Sequence, residues 1–281
     1  MTPIPELWSE RDRRDEERLV RAVAAEDLLG ALLAIEGADA EAGARASAWI
    51  AERGERVRAL AATRSPLDAL GDVLVREAGL LGDGADYYHP DMSRLTRVIA
   101  RGTGQPILLA SVWLLVGRAA GLEVEGLPLP GHFVLGVRER AGEPLAVVDV
   151  FRGGAPLSQD ECAAIARRAA PGRGAGSLDP SWLEPASVEA IAARVLRNLT
   201  HALRQAGESA GLYRALHLLA RIVPEAAPVR LELAQLTEGH GAWPEALVMY
   251  GDIVARFADS REARIAELAL VELEARTRTL N

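Results

Sequence analysis

Two residues have the types that proton chemistry needs. His132 follows Pro130-Gly131 and leads an apolar run, and Asp149 sits among Val147, Val148, Val150 and Phe151. An Asp in such company is expensive to bury unless it is paired. A facing imidazole is a suitable partner, and the carboxylate would fix its tautomer. That is the base-and-orienter half of a nucleophile–His–Asp site. A structural hydrogen bond fits the same two residues.

The third member should start a helix, where the N-terminus lowers a nucleophile's pKa. The helix that the apolar run after Gly104 predicts begins Gly104-Gln105-Pro106-Ile107, with no Cys, Ser or Thr in its first turn. Thr103 precedes it, and Ser111, five residues past Pro106, stands about 140° further round. Cys162 falls on a different helix and reads as an ordinary buried or half-buried thiol. His89, His201, His217 and His240 are scattered without metal-ligand spacing. No phosphate-binding glycine loop is present. No metal and no cofactor is therefore expected.

The elements that must position the pair are a buried helix and a hairpin. Ile107 to Val116 carries one polar residue, Ser111, so that helix is apolar on nearly all sides and belongs inside. Pro106 suits its first turn, and Gly121 suits its end. PGHFVLGVR and EPLAVVDVF read as strands. A loop over Glu139 to Gly142 sets His132 opposite Asp149, with Cβ atoms about 4.5–5.5 Å apart. A two-residue turn at Ala141-Gly142 instead sets His132 opposite Phe151.

Helices surround this region. Leu19 to Leu33 is spaced as one helical run broken at Gly37, a second helix covers Glu41 to Ala62, and Ser65-Pro66 starts a third. A loop holding Tyr87 and Tyr88 leads to a short helix over Arg94 to Arg101, begun by Ser93 and ended by Gly102. The tyrosines read as packing residues or as a ligand-contacting loop. Ser158 and Glu161 have the spacing of a capping box. Pro171 to Ser187 is rich in Gly, Pro and Ser, and it reads as a linker. Beyond it, two helical blocks match at offsets of about 31 to 34 residues, the tetratricopeptide period. A plain helical bundle explains them as well.

Composition narrows the classes. The 281 residues are 49% hydrophobic and 26% charged, ordinary values for one large or two small globular domains. One cysteine excludes an internal disulfide, and a reducing cytoplasm fits. A net charge of −8 argues against nucleic acid as a partner. Neither a signal-peptide core nor a membrane span is evident. The basic residues besides His are all Arg, which excludes Schiff-base lysine chemistry.

Tyr87-Tyr88-His89-Pro90 with Ser93-Arg94-Leu95, Gly104-Gln105-Pro106-Ile107, Pro130-Gly131-His132-Phe133 and Asp149-Val150-Phe151-Arg152-Gly153-Gly154 resemble the SirB-type proteins. These are bacterial, with a transglutaminase-like core often followed by tetratricopeptide-like helices. The resemblance implies an α+β fold: a papain-like core, with a helix packed on a small antiparallel sheet, flanked by N-terminal helices and a C-terminal helical region. With the linker read from composition at 171–187, the chain divides into residues 1–170, that linker or long loop, and residues 188–281. In catalytic relatives a Cys starts the core helix, and the His and Asp lie on successive strands. Pro106 occupies that Cys position here, and Val150 stands where the family usually has Pro. The expectation is a non-catalytic transglutaminase-like protein that binds a peptide or protein partner. The alternative is a cysteine-independent hydrolase or acyl transferase using His132 and Asp149.

Overall fold

The computed structural model describes residues 8–82, 84, 88–169 and 179–280. Two compact units emerge: Ala22–Val195 forms one, and Met1–Arg21 with Leu196–Asn281 forms the other.

Local chemistry sets the first helices, α1 (Glu10–Ala24) and α2 (Leu28–Glu36). The single run expected from Leu19 to Leu33 is divided, because Glu26 takes φ 52° and Asp27 accepts the Gly30 N–H as a cap. An Asp cap is worth about 0.5–2 kcal/mol, enough to start a new helix where the apolar stripe alone would continue the old one. Gly37 then stops α2 in the left-handed conformation, as expected. Asp39 caps α3 (Ala40–Ala61), and Ser65 caps α4 (Pro66–Gly71), which runs on as a π-helical turn over Asp72–Glu77. The short helix α5 (Leu95–Arg101) ends at Gly102.

Around α6 (Pro106–Ala119) the first unit is built. Leu108, Leu109, Val112, Trp113, Leu114 and Val116 are all fully buried. Burying each large apolar side chain contributes roughly 1.5–3 kcal/mol, so this helix is a main source of cohesion. Helix α3 packs on one side of it and the sheet on another. Small residues let them approach: a Cβ on Gly54 would lie 2.7 Å from Ala119 Cβ, and one on Gly117 would lie 2.9 Å from Val124.

The sheet has four antiparallel strands in sequence order: β1 (Val124–Leu127), β2 (Val134–Val137), β3 (Ala146–Asp149) and β4 (Ala155–Pro156). Helix α7 (Gln159–Ala169) follows, started by the expected capping box: Glu161 N–H donates to Ser158 Oγ at 3.2 Å, and Ser158 N–H donates to Glu161 Oε2 at 2.8 Å. Cys162 and Ala166 of α7 pack with Leu127, Leu129 and Val134. Of the linker read at 171–187, residues 171–178 lie outside the described residues. Pro180–Leu183 forms a 3-10 turn, and Ala186 N–H donates to the Gly126 carbonyl.

The C-terminal helices are α8 (Val188–Ala206), α9 (Ser209–Ile222), α10 (Ala227–Gly239), α11 (Trp243–Arg256) and α12 (Arg261–Leu280). Helix α10 packs against both α9 and α11, and α12 packs on α11. Leu231, Ala234, Ala246, Tyr250, Ile253, Ala266 and Leu273 form their shared core. Arg214 of α9 holds Asp12 at 2.9 Å and Asp15 at 3.1 Å, which ties the start of α1 to this unit. No single helix among the described residues is long and apolar enough to cross a membrane.

Candidate functional site

The hairpin brings His132 and Asp149 together. His132 Nε2 lies 3.0 Å from Asp149 Oδ1. Leu135 pairs with Val148, Gly136 with Val147 and Val137 with Ala146. Continued past the ladder, this register sets His132 opposite Phe151. The four-residue loop over Glu139 to Gly142 is therefore corrected to a tight turn with Ala141-Gly142 at its centre. Glu143 N–H donates to the Arg140 carbonyl at 3.1 Å, and Gly142 takes φ 83°. A left-handed residue at the second central position is the requirement that glycine meets without strain. The two registers differ by two residues, so every side chain keeps its face. The pair forms on the diagonal, which an imidazole can span.

Each partner is held locally. His132 N–H donates to the Leu129 carbonyl at 2.9 Å, closing a turn through Pro130-Gly131. Gly131 takes φ 73°, and a Cβ there would lie 2.3 Å from Ala169 Cβ. No other residue type fits between the turn and α7. Asp149 ends β3, and its Oδ1 also accepts the Phe151 N–H at 3.0 Å, starting the 3-10 turn Val150–Arg152. Gly82 lies flat against the Phe151 ring and donates its N–H to the Phe151 carbonyl at 3.1 Å.

The carboxylate is buried, and burial pushes its pKa up. The contact with His132 and the Phe151 and Arg152 N–H groups outweigh that and hold it below the usual carboxylate range. Asp149 is therefore charged at neutral pH. The imidazole is mostly covered, and its ring falls short of the alignment of a well-directed N–H···O bond. The 3.0 Å contact is a close nitrogen–oxygen approach at hydrogen-bonding distance without that alignment. Nδ1 makes no hydrogen bond among the described residues.

At the start of α6 the structure has Pro106 at the first helical position, with no side chain capping the helix. Gln105, just before it, is buried, and its Oε1 accepts the Ser93 hydroxyl at 2.9 Å. Ser93 was expected to begin the short helix; it turns instead to Gln105, and Arg94 takes the cap position. Sequence reading missed this buried polar pair. The signal was a Gln beside an apolar run, which has to find a partner once buried. Ser111, also buried, donates to the Ile107 carbonyl at 2.7 Å and is spent inside α6. Cys162 is 1% exposed, and burial, with Glu161 next to it, pushes its thiol pKa up. Neither residue is an activated nucleophile. Tyr87 lies outside the described residues, and Tyr88 is exposed. No group of three or more His, Cys, Asp or Glu among the described residues is placed to hold a metal ion.

A core helix packed on a small antiparallel sheet, with a His just before one strand and an Asp at the end of the next, is the arrangement of a transglutaminase-like core. Residues 40–197, more than half of the chain, match the family model described as Transglutaminase-like superfamily. The chain belongs to that superfamily. It is 36% identical over 135 residues to a UPF0162 protein of Xylella fastidiosa strain Temecula1, covering 47% of this chain and 46% of that one. A UPF0162 protein of strain 9a5c is 35% identical over the same length. F-box only protein 21 of Mus musculus is 28% identical over 188 residues, covering 64% of this chain and 29% of that one. The chain thus spans about half the length of the UPF0162 relatives it matches. No solved structure matches.

Proposed function

We propose that this protein is a SirB-type member of the superfamily that acts by binding a peptide or protein partner in the cytoplasm, without acyl transfer. The observation that carries this reading is Pro106. It stands where the catalytic relatives need a nucleophile, and it has neither an attacking atom nor an N–H. Two neighbouring hydroxyls and the thiol are committed elsewhere, Ser93 to Gln105, Ser111 to Ile107 and Cys162 to an apolar cluster, whereas the Thr103 hydroxyl just before the helix is buried with no hydrogen-bond partner among the described residues. The retained His132–Asp149 contact then serves as a structural tie between the turn before β2 and the end of β3. Helices α9 with α10 and α11 with α12 make two consecutive pairs, which supports a tetratricopeptide-like reading of this region. Stacked helix pairs offer extended surfaces for a partner.

A second reading has one observation in its favour. Asp149 is charged and next to His132, whose Nδ1 makes no hydrogen bond among the described residues, so the ring is placed where a base would be oriented by a carboxylate. A cysteine-independent hydrolase would use His132 to activate water. Affinity purification with wild type and His132→Ala, followed by amide-hydrolysis assays on both, separates the two. Binding without chemistry predicts the same specific partner from both proteins and no turnover. The hydrolase predicts turnover that vanishes with the imidazole.

A further inference from the structure

We propose that the groove formed by α9, α10 and α11 binds a small aliphatic carboxylate that carries a second hydrogen-bonding group. The inference goes beyond the His132–Asp149 region and is independent of how that region works.

The groove encloses about 350 Å³, within the range of small-molecule sites. Its walls are supplied by His217 and Arg221 of α9, Arg230 and Leu233 of α10, and Val248, Met249 and Asp252 of α11. Val248 is 74% exposed, so an apolar side chain at the groove faces water where an aliphatic ligand would cover it.

The polar groups define the other half of the ligand. His217 is stacked on Trp8 at 3.8 Å between ring centres. Its Nδ1 is buried and has no hydrogen-bond partner among the described residues. His217 lines the groove, and a buried polar atom with no partner is one that a ligand reaching it can satisfy. The ring is neutral at physiological pH, because burial pulls its pKa down to about 4 against a weaker upward pull from Asp12. It therefore presents one donor and one acceptor, suited to an amide or a hydroxyl, not a charge.

Charge is supplied by guanidinium groups. Arg230 is half-buried and reaches Asp252 at 3.1 Å, and Arg256 shares that same carboxylate at 3.7 Å. Arg256 also meets Glu225 at 3.1 Å, a largely exposed residue. Arg221 pairs with Glu16 at 3.1 Å; Arg221 is 56% exposed and Glu16 20%, so a ligand carboxylate would share the exposed part of this guanidinium with Glu16. A planar guanidinium is the donor that matches a carboxylate. Among the described lining residues, ammonium ligands would meet two cations, Arg221 and Arg230, and one anion, Asp252, already shared.

N-acetyl-leucine has the three required parts: a carboxylate, an amide and an aliphatic side chain. It should be titrated into the full-length protein, with the Met249 methyl and His217 ring signals followed by NMR. Saturable shifts at both residues are expected. N-acetyl-leucinamide, which lacks the charge, should bind at least about tenfold more weakly. Arg230→Met should lose a similar factor, and His217→Phe should lose affinity for both compounds alike. Far-ultraviolet circular dichroism and thermal melts verify that each variant is folded, and Arg221→Met provides a second, surface variant that leaves the core untouched. Absence of saturable shifts at about 20 mM, or equal binding of acid and amide, overturns the proposal. A peptide ending in leucine distinguishes sources: tighter binding than N-acetyl-leucine assigns the groove to a chain terminus, and weaker binding assigns it to a free small acid.

Discussion

His132 Nε2 reaches Asp149 Oδ1 at 3.0 Å although the register of β2 and β3, extended beyond the ladder, points His132 at Phe151. The contact survives a two-residue change of register because such a change preserves the face of every side chain. It also places a charged, buried carboxylate at the end of β3, where three separate groups depend on it.

Removing that carboxylate should be costly. Asp149→Ala leaves the Phe151 N–H and the His132 ring without their partner, and a loss of about 1–3 kcal/mol is expected from urea denaturation at pH 7. The pH dependence has a definite sign. The folded pKa is depressed below the ordinary value, so this contribution is present above pH 3.8 and is lost as pH falls through the lower folded value. Wild type should therefore lose stability relative to Asp149→Asn on acidification through that window. Parallel curves for the two proteins would contradict the assignment of the carboxylate as charged.

Gly131→Ala should damage the site without touching either member of the pair. The left-handed backbone at φ 73° costs a side chain about 1–2 kcal/mol, and the overlap with Ala169 adds to it. A fall in the thermal midpoint is expected, with partial recovery in Gly131→Ala/Ala169→Gly, which relieves the overlap but not the backbone strain. Gly142→Ala, at a turn with open space around it, should show only the backbone cost.

Cys162 should behave as a core residue. In the folded protein its reaction with a thiol reagent at pH 8 is expected to be slow, becoming fast once denaturant exposes it. Fast modification of the native protein, with retained structure, would mean that the thiol is accessible and a candidate nucleophile after all.

Much of this architecture is legible in the residues. Pro106 and the apolar run after it mark a buried helix because a proline first turn and a near-absence of polar residues are local facts. His132 and Asp149 follow from the same logic, since an Asp among valines needs a partner. What escaped is set by tertiary packing. The turn at Ala141-Gly142 and the loop over Glu139 to Gly142 both suit the sequence, and only strand pairing decides between them. The break at Glu26-Asp27 is a contest between a cap and an apolar stripe, which periodicity alone awards to the stripe. The Ser93–Gln105 bond joins residues twelve apart through a turn that no spacing rule reveals. The groove beside His217 depends on how α9 and α11 flank α10.

The most direct measurement compares wild type with His132→Ala for ammonia release and amine incorporation on a glutamine-containing protein such as casein, in the same preparations used to recover partners. Binding without acyl transfer predicts turnover at the level of buffer in both proteins, with partner recovery unchanged by the substitution. Turnover in wild type that His132→Ala abolishes, with the variant still folded, would contradict it.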